Sequence, residues 1–410
     1  MNRRDFLYAG TAAAMAARGM DARAYASIVG ANDRVGLGVI GLGRRATVVA
    51  PAFAQDPRVE FRAICDVYDK HVSEFQGRFK DQVAQAEVSV EYRKMLERKE
   101  IDAVYVATPD HLHVEIATAV LGANKNLYLE KPTLHRWYEK DALAKAAANS
   151  KGVLQCGMQQ RSGAHYMRAK QEYFEAGKLG QVVFARAVWH NFSWQRRVIP
   201  DQPKPPGLRW DLFLGPAPKV PYKTARYSSW RSYHDYGNGL LADILTHWAD
   251  VAQWMLSDSE PVSAAALGGD FQLRGDLTNP DTVSAIVRYK DWNLNFESTV
   301  LSVRNPHPSV YFEGTEGTLD ITREGYVFTP NSGEPVQVAT AQSLERAHAG
   351  NFIDAILKGD KLNAPLAAGL AASVPVMMAL DSYWSHRICT RTELASSGSP
   401  IGVERRAIAK

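Results

Sequence analysis

Cysteine is scarce in this chain, with three residues, Cys65, Cys156 and Cys389, among 410. An odd and widely spaced set argues against a disulfide framework and supplies no Cys-x-x-Cys metal motif. The sequence also lacks a long apolar run, so we predict no membrane-spanning segment or anchor. No basic block interleaved with aromatic residues occurs, because 48 basic and 44 acidic residues are mixed along the chain. We therefore predict no nucleic-acid partner.

The remaining composition is that of a folded protein with more than one domain. Hydrophobic residues make up 46% of the chain and charged residues 22%, close to the averages of globular proteins. A chain of 410 residues is longer than one hydrophobic core usually supports. We predict a first domain over residues 30–158, a second over 159–390 and a C-terminal tail over 391–410.

The N-terminus has the pattern of an export signal. The paired Arg3 and Arg4 precede a short alanine-rich run over residues 7–17, and small residues follow at 24–26. This is the arrangement of a twin-arginine signal peptide with its cleavage site. We predict that residues 1–26 direct export to the periplasm or another extracytoplasmic space. The alternative is a basic terminus without a targeting role.

A predicted strand over residues 35–40 is followed at once by a match to G-x-G-x-x-G/A, in Gly41-Leu42-Gly43-Arg44-Arg45-Ala46. A strand entering a helix through such glycines is typical of dinucleotide binding, because the backbone can approach a pyrophosphate at the helix N-terminus. Alone, the motif is weak, and a glycine-rich turn without function is an equal alternative. Pro51 lies inside the expected helix, which we therefore expect to bend or to begin late.

The surrounding pattern strengthens the nucleotide hypothesis. A second strand over residues 59–65 ends at Asp66, where a carboxylate can bind the adenosine ribose and favours NAD over NADP. Arg44, Arg45 and Lys70 leave NADP open, since they could hold a 2′-phosphate. Further strands over 103–107 and 126–129, separated by a helix over 114–122, indicate a parallel doubly wound sheet.

After the fourth strand comes Glu130-Lys131-Pro132, preceded by Thr108-Pro109 and His113. With residues 157–161, 210–216 and 313–317, and a glycine-led helix carrying Asp243 and His247, these motifs resemble the Gfo/Idh/MocA oxidoreductase family over nearly the whole chain after the signal. The resemblance implies an α/β Rossmann domain followed by an α+β domain with an open, mainly antiparallel sheet. It also implies a cis Lys131–Pro132 bond and a homodimer or homotetramer that covers the open sheet face.

The resemblance implies that Lys131 contacts substrate and nicotinamide, that Asp243 orients substrate and that His247 is the general acid/base. Asp243 and His247 are four residues apart on a predicted helix over 240–256, so they share one face. In isolation, such a pair is usually a solvent-exposed contact. The residues around this pair are apolar, and two polar side chains on an apolar helix indicate a functional role. An imidazole suits the base that oxidation of a carbinol requires.

We assign the remaining contacts of the site from these motifs and from the aromatic residues of the stretch over 191–236. Predicted contacts to NAD, with NADP less favoured, are Gly41, Gly43, Arg44, Arg45, Asp66, Thr108, Pro109, His113, Glu130, Lys131 and Gln159. Predicted substrate contacts are Lys131, Arg161, Trp194, Trp230, Tyr236, Asp243 and His247. By position alone, His111 and His113 fit turn or helix-start residues. The spacing of His234, Asp235, Asp243 and His247 matches no metal motif, and we predict no metal.

An irregular, aromatic-rich stretch over residues 191–236 suits the apolar face of a sugar, although packing within its own domain is an open alternative. The favoured function is an NAD-dependent sugar or polyol oxidoreductase. A redox-neutral glycosidase, in which bound NAD transiently oxidises the sugar, and a non-catalytic sugar-binding protein are the alternatives. The intact Glu130-Lys131-Pro132 favours redox chemistry, because some relatives with altered triplets are glycosidases.

Overall fold

A computed structural model of the chain describes residues 34–190, 199–272, 276–302 and 308–396. The predicted export signal, the predicted substrate residue Trp194 and most of the tail over 391–410 lie outside these ranges. The export signal stays a prediction, which N-terminal sequencing of the chain recovered outside the cytoplasm would test.

The first domain contains the predicted Rossmann fold. Its six strands are all parallel and lie in the order β3-β2-β1-β4-β5-β6, which is the order of dinucleotide-binding sheets. The central strands are buried along their length, as parallel strands covered on both faces require. The strands are β1 Val35–Ile40, β2 Val59–Cys65, β3 Glu87–Ser89, β4 Ala103–Val106, β5 Asn126–Leu129 and β6 Leu154–Cys156.

Five helices accompany this sheet: α1 Arg44–Ala54, α2 Asp69–Arg78, α3 Tyr92–Leu96, α4 His113–Gly122 and α5 Lys140–Asn149. The prediction that α1 could begin late was wrong, because it starts directly after Gly43 with Pro51 inside it. Burial of Val49, Ala50 and Phe53 on the same helix offsets the hydrogen bond that the proline removes.

The second domain has the predicted open sheet, with nine strands. Every neighbouring pair is antiparallel except β7 and β10. The order is β14-β13-β12-β11-β7-β10-β9-β8-β15. The strands are β7 Val182–Val188, β8 Ser263–Gly269, β9 Thr282–Arg288, β10 Asn293–Thr299, β11 Ser309–Gly314, β12 Gly317–Thr322, β13 Gly325–Pro330, β14 Val336–Ala339 and β15 Cys389–Thr390.

Helices cover one face of this sheet. In β9, Val283, Ala285 and Val287 are buried toward the helices, whereas Ile286 is exposed on the opposite face. The helices of this part of the chain are α6 Ala164–Ala169, α7 Trp210–Leu214, α8 Thr224–Ser228, α9 Thr246–Leu256, α10 Leu344–Lys358, α11 Leu366–Ser385 and α12 Arg391–Ser396. No helix or strand of the described ranges covers the opposite face of the sheet.

Helix α11 corrects one statement made from the sequence. With 20 residues and a mean hydropathy of 1.3, it is long and apolar enough to cross a membrane, although we predicted that no segment was. In the structure 72% of its apolar window is buried, and it packs on β8 and α9. Length and composition cannot separate a core helix from a membrane span, whereas burial inside the fold identifies α11 as part of the core.

Two segments join the domains. α10 returns to the first domain, where Phe352 packs edge-on against Phe53 and Tyr128. The segment around α7 and α8 lies beside the end of β2, because the Arg209 amide donates to the Val67 carbonyl at 2.9 Å. The second of these segments thus lies at the carboxyl edge of the first sheet.

Candidate functional site

A cavity of about 590 Å³ lies at the carboxyl ends of the parallel strands, between the two domains. This is where ligands of doubly wound sheets bind. Many of the residues predicted from the sequence line it: Gly41, Gly43, Arg44, Arg45, Asp66, Thr108, Pro109, Glu130, Lys131, Trp230 and Asp243.

The glycine turn forms a cradle at the start of α1. Gly41 has φ +84°, and a Cβ there would lie 2.8 Å from the carbonyl oxygen of Ala107. Only glycine fits this turn, because the backbone conformation and the contact both exclude a side chain. A Cβ at Gly43 would meet no atom within 4 Å, so space remains above the helix N-terminus for a phosphate group. The cradle fits the pyrophosphate of a dinucleotide.

Asp66 lies at the edge of the same cavity, at the end of β2. Its carboxylate accepts the amide N–H of Leu42 at 2.7 Å and that of Tyr68 at 2.9 Å. The His71 ring lies 3.3 Å from this carboxylate and stacks on Tyr227. Hydrogen bonds fix the carboxylate toward the place where an adenosine ribose would lie.

Neither of the two rings at this edge of the cavity, His71 and Tyr227, was predicted from the sequence as a site residue. His71 lies one helical turn past Asp66, and Tyr227 comes from the aromatic stretch, so no short motif links them. Of the three basic residues that left NADP open, Arg44 lines the cavity, whereas the other two do not support a 2′-phosphate site. Arg45 donates to Glu130 at 2.7 Å and lies 3.5 Å from Glu345, and Lys70 does not line the cavity.

Lys131 and Asp243 form the centre of the site. The Lys131 ammonium donates to the Asp243 carboxylate at 2.6 Å and to the Asp243 carbonyl at 2.8 Å. Arg231, which the sequence analysis also missed, lies 3.3 Å from the other carboxylate oxygen. Burial alone would raise the pKa of Asp243, but the two cations hold it below its ordinary value. The Lys131–Pro132 bond is cis, as the resemblance implies.

Asp110 is a second buried carboxyl group at this point. It lines the cavity in the loop after β4 and is 4% exposed. Burial and the negative charge of Asp243 raise its pKa to about 7, against the opposing effects of Arg231 and Lys131. A signal was present in the sequence, because Asp110 directly follows Thr108-Pro109 at the end of a parallel strand.

His247 lies one turn beyond Asp243. The chain passes through a π-helical turn, Leu241–Leu245, before α9 begins, and such turns are frequent at functional sites. His247 is buried and does not line the cavity directly, and its Nδ1 has no hydrogen-bond partner among the described residues. Burial, with the charges of Lys131, Arg323 and Arg45, holds its pKa well below the ordinary value. The imidazole is therefore neutral at neutral pH.

Besides His247, four other predicted site residues within the described ranges do not line the cavity. Both ring nitrogens of His113 face carbonyl groups, of Pro132 at 2.8 Å and Thr108 at 3.0 Å, so this side chain joins two loops. Gln159 is buried behind them.

The other two have structural partners instead. Arg161 forms an ion pair with Asp250 at 2.8 Å, and Tyr236 is fully buried among aromatic rings with its hydroxyl 3.3 Å from Arg226. Across the described ranges, no three His, Cys, Asp or Glu side chains are grouped to hold a metal ion.

Some aromatic residues of the stretch over 191–236 pack within their own domain, and others line the cavity. Trp210, Tyr233 and Tyr236 pack on one another in a small core of their own, as the packing alternative expected. Phe213, Tyr227 and Trp230 face the cavity instead. The rings that are free to meet a ligand are therefore fewer than the composition suggests.

The raised pKa of Asp110 predicts a pH-dependent stability. The folded protein holds a proton that the unfolded chain releases between about pH 4 and about pH 7, so this group destabilises the fold as the pH rises through that window. The slope is at most about 1.4 kcal/mol per pH unit. We expect Asp110→Asn to gain stability relative to the wild type between pH 4.5 and pH 7.5 in urea unfolding. Asp211→Asn, an exposed carboxyl at the cavity rim, is the control, and a stability difference independent of pH would contradict the assignment.

Comparison with known proteins agrees with this architecture. Residues 35–158 match the family described as "Oxidoreductase family, NAD-binding Rossmann fold", and residues 167–320 match the GFO/IDH/MocA C-terminal domain. Levoglucosan dehydrogenase of Pseudarthrobacter phenanthrenivorans is 26% identical over 275 residues, which span 61% of this chain and 61% of that protein. Myo-inositol 2-dehydrogenase of Thermotoga maritima is 21% identical over 76% of this chain and 79% of that protein.

Solved structures show the same fold. Levoglucosan dehydrogenase in complex with NADH and levoglucosan superposes with a TM-score of 0.70 at 20% identity, covering 87% of this chain and 99% of that one. GenD2 from gentamicin A biosynthesis, in complex with NAD, gives a TM-score of 0.67 at 20% identity, covering 87% of this chain and 96% of that one. The matches to both family domains together cover more than half of the sequence, and the chain belongs to the Gfo/Idh/MocA oxidoreductase family.

Proposed function

We propose that this protein is an NAD-dependent oxidoreductase that transfers hydride between the nicotinamide and a hydroxyl-bearing carbon of a sugar or polyol. The observation that carries the proposal is the buried Lys131 ammonium, held on Asp243 at the cavity wall 2.6 Å from its carboxylate. A cation fixed there is positioned to donate a hydrogen bond to a carbinol oxygen. The names of the relatives, which include levoglucosan and myo-inositol dehydrogenases, support the substrate class.

NAD, when bound, supplies the hydride acceptor. The protein must then remove the hydroxyl proton, and a neutral imidazole can accept it. His247 is kept neutral by burial and by the surrounding cations, because both oppose protonation. Lys131 would hold the substrate oxygen while Asp243 fixes the ammonium. The negative charge that develops on the oxygen as the proton leaves is stabilised by this fixed cation.

Replacing Lys131 or His247 tests the proposal. We expect Lys131→Met and His247→Ala each to lose at least about a hundredfold in turnover, the lower range for acid/base catalysis, while nucleotide binding persists. Turnover is followed as NADH absorbance with a panel of sugars and polyols, and binding as NADH fluorescence. Lys80→Met, at an exposed lysine that does not line the cavity, is the matched control.

The same panel separates the alternatives. Release of the aglycone from aryl glycosides without net NADH formation would assign the glycosidase, and sugar binding without either reaction would assign a binding protein. Unchanged turnover in both variants would remove the role proposed for the two side chains.

We also propose that the uncovered face of the nine-stranded sheet joins two or four copies of the chain. Leu267 on β8 is 76% exposed and Ile286 on β9 is 51% exposed, and Val183 on β7 lies on the same sheet. Exposed apolar side chains on an open sheet are typical of an interface between subunits. An identical copy is the partner most consistent with this face, since symmetric contacts place the same patch on both sides.

Light scattering tests the assembly. We expect the mass of two or four mature chains for the wild type and a shift toward one chain in Leu267→Lys, because a charge on this face cannot be buried without a partner. Lys290→Glu, an exposed change at the end of the same sheet, serves as control for charge alone. A wild-type mass of one chain would contradict the proposed assembly.

A further inference from the structure

Arg323 is a cation that forms no ion pair with any residue the structure describes. It lies in the turn between β12 and β13, and its Nε is buried with no hydrogen-bond partner among the described residues. No carboxylate within those residues forms an ion pair with it, although Glu345 and Glu324 are near enough to influence its charge. Neither Asp nor Glu occurs in the internal segments that the structure does not describe, which are residues 191–198, 273–275 and 303–307.

The buried Nε of Arg323 costs stability, because it has no hydrogen-bond partner among the described residues, although the residue as a whole is partly exposed. Burial lowers the pKa of Arg323, with Arg45 acting in the same direction, yet a guanidinium stays protonated in proteins. A buried charge is ordinarily paired, because removing it from water is unfavourable without a partner. Among the cations around His247, Lys131 is bound to Asp243 and Arg45 to Glu130. Of these three cations, Arg323 is the one with no carboxylate in contact within the described ranges.

The surroundings of Arg323 place this cation beside the proposed base. The Arg323 guanidinium lies 4.9 Å from the centre of the Trp189 ring, and the His247 ring stacks on the same indole at 6.2 Å. The guanidinium and the imidazole therefore lie on one indole, no farther apart than those two distances together. A monosaccharide with hydrogen bonds at both ends spans this range.

Other polar atoms nearby are also buried without a hydrogen-bond partner in the described part of the chain. The Tyr166 hydroxyl and the Nδ1 of His247 are buried without hydrogen bonds among the described residues. Tyr166 is close enough to influence the pKa of Arg323. Buried polar groups are nearly always satisfied in folded proteins, so several unsatisfied groups around one indole indicate the place of a polar ligand.

The nucleotide does not account for Arg323. The cavity that runs from the glycine cradle to Lys131 is not lined by Arg323, Trp189 or Tyr166. The pyrophosphate has its own site at the N-terminus of α1, beside Arg44. The free charge therefore faces a different group.

We propose that Arg323 binds a carboxylate of the substrate, so that the protein acts on an acidic sugar or polyol rather than a neutral one. This inference rests on the proposed function. The carboxylate pairs with the guanidinium through charge-assisted hydrogen bonds, Trp189 packs along the carbon chain, and a hydroxyl at the other end reaches His247 and Lys131. One free cation matches a singly charged carboxylate better than a doubly charged phosphate.

Binding measurements on the full chain with NADH bound test the inference without turnover. Calorimetry compares uronic acids with their parent hexoses, glucuronate with glucose and galacturonate with galactose, and includes glucose 6-phosphate. We expect at least one uronate to bind about tenfold or more tightly than its parent hexose, as a hydrogen bond to a charged group provides. Arg323→Gln should remove that preference and Arg323→Lys should keep part of it.

The controls separate the possible failures. Arg346→Gln, an exposed arginine on α10, should leave the preference unchanged. Uronates bound no more tightly than hexoses by the wild type, or an equal loss for both classes in Arg323→Gln, would overturn the inference. Tighter binding of glucose 6-phosphate than of the uronates would overturn the inference and assign a phosphate to Arg323 instead of a carboxylate. If Arg323→Gln does not fold, the wild-type preference and its loss at high salt decide the question. A uronate that binds but yields no NADH would contradict the proposed function and leave the role of Arg323 standing.

Discussion

The ion pair between Lys131 and Asp243 connects the two domains at the point where the chemistry is proposed to occur. Lys131 follows β5 in the first domain, and Asp243 lies on the π-helical turn before α9 in the second. Both side chains are nearly buried, with 10% and 7% of their surfaces exposed. Breaking one half of a buried pair leaves an uncompensated charge, so the relative position of the domains is tied to this contact.

The electrostatics of the site follow from that contact. A fixed ammonium keeps Asp243 ionised, and the ionised Asp243 in turn keeps Asp110 protonated to higher pH. The same ammonium, with Arg323 and Arg45, opposes protonation of His247. One pair of charges thus sets the protonation states around the place proposed for the substrate, because charges act strongly where water is excluded.

The sequence was most informative where one local rule determines structure. The bounds of β1, β2 and β5 were predicted to the residue, since apolar runs between turn residues are distinctive. Gly41 was predicted from the turn that only glycine can form. β8 was missed because its alanines and glycines carry little strand preference.

The residues of the site were predicted less completely from the sequence than the strands. Lys131 and Asp243 came from motifs and line the cavity, whereas Arg161, from another motif, and Tyr236, from the aromatic stretch, do not line it. A motif gives the order of residues along the chain, but the direction of a side chain depends on packing between elements far apart. Arg231 and Arg323 carry no local signal, because the role of Arg231 comes from the Asp243 carboxylate beside it and that of Arg323 from the lack of an ion pair among the described residues.

The most direct measurement of the central claim is a double-mutant cycle on the Lys131–Asp243 pair. Free energies of unfolding are measured for the wild type, Lys131→Met, Asp243→Asn and the double variant. If the buried pair holds the domains together, the two changes are non-additive by roughly 1–3 kcal/mol, with the double variant more stable than the sum of the single losses. Additivity within about 0.5 kcal/mol would contradict the claim that this contact organises the site.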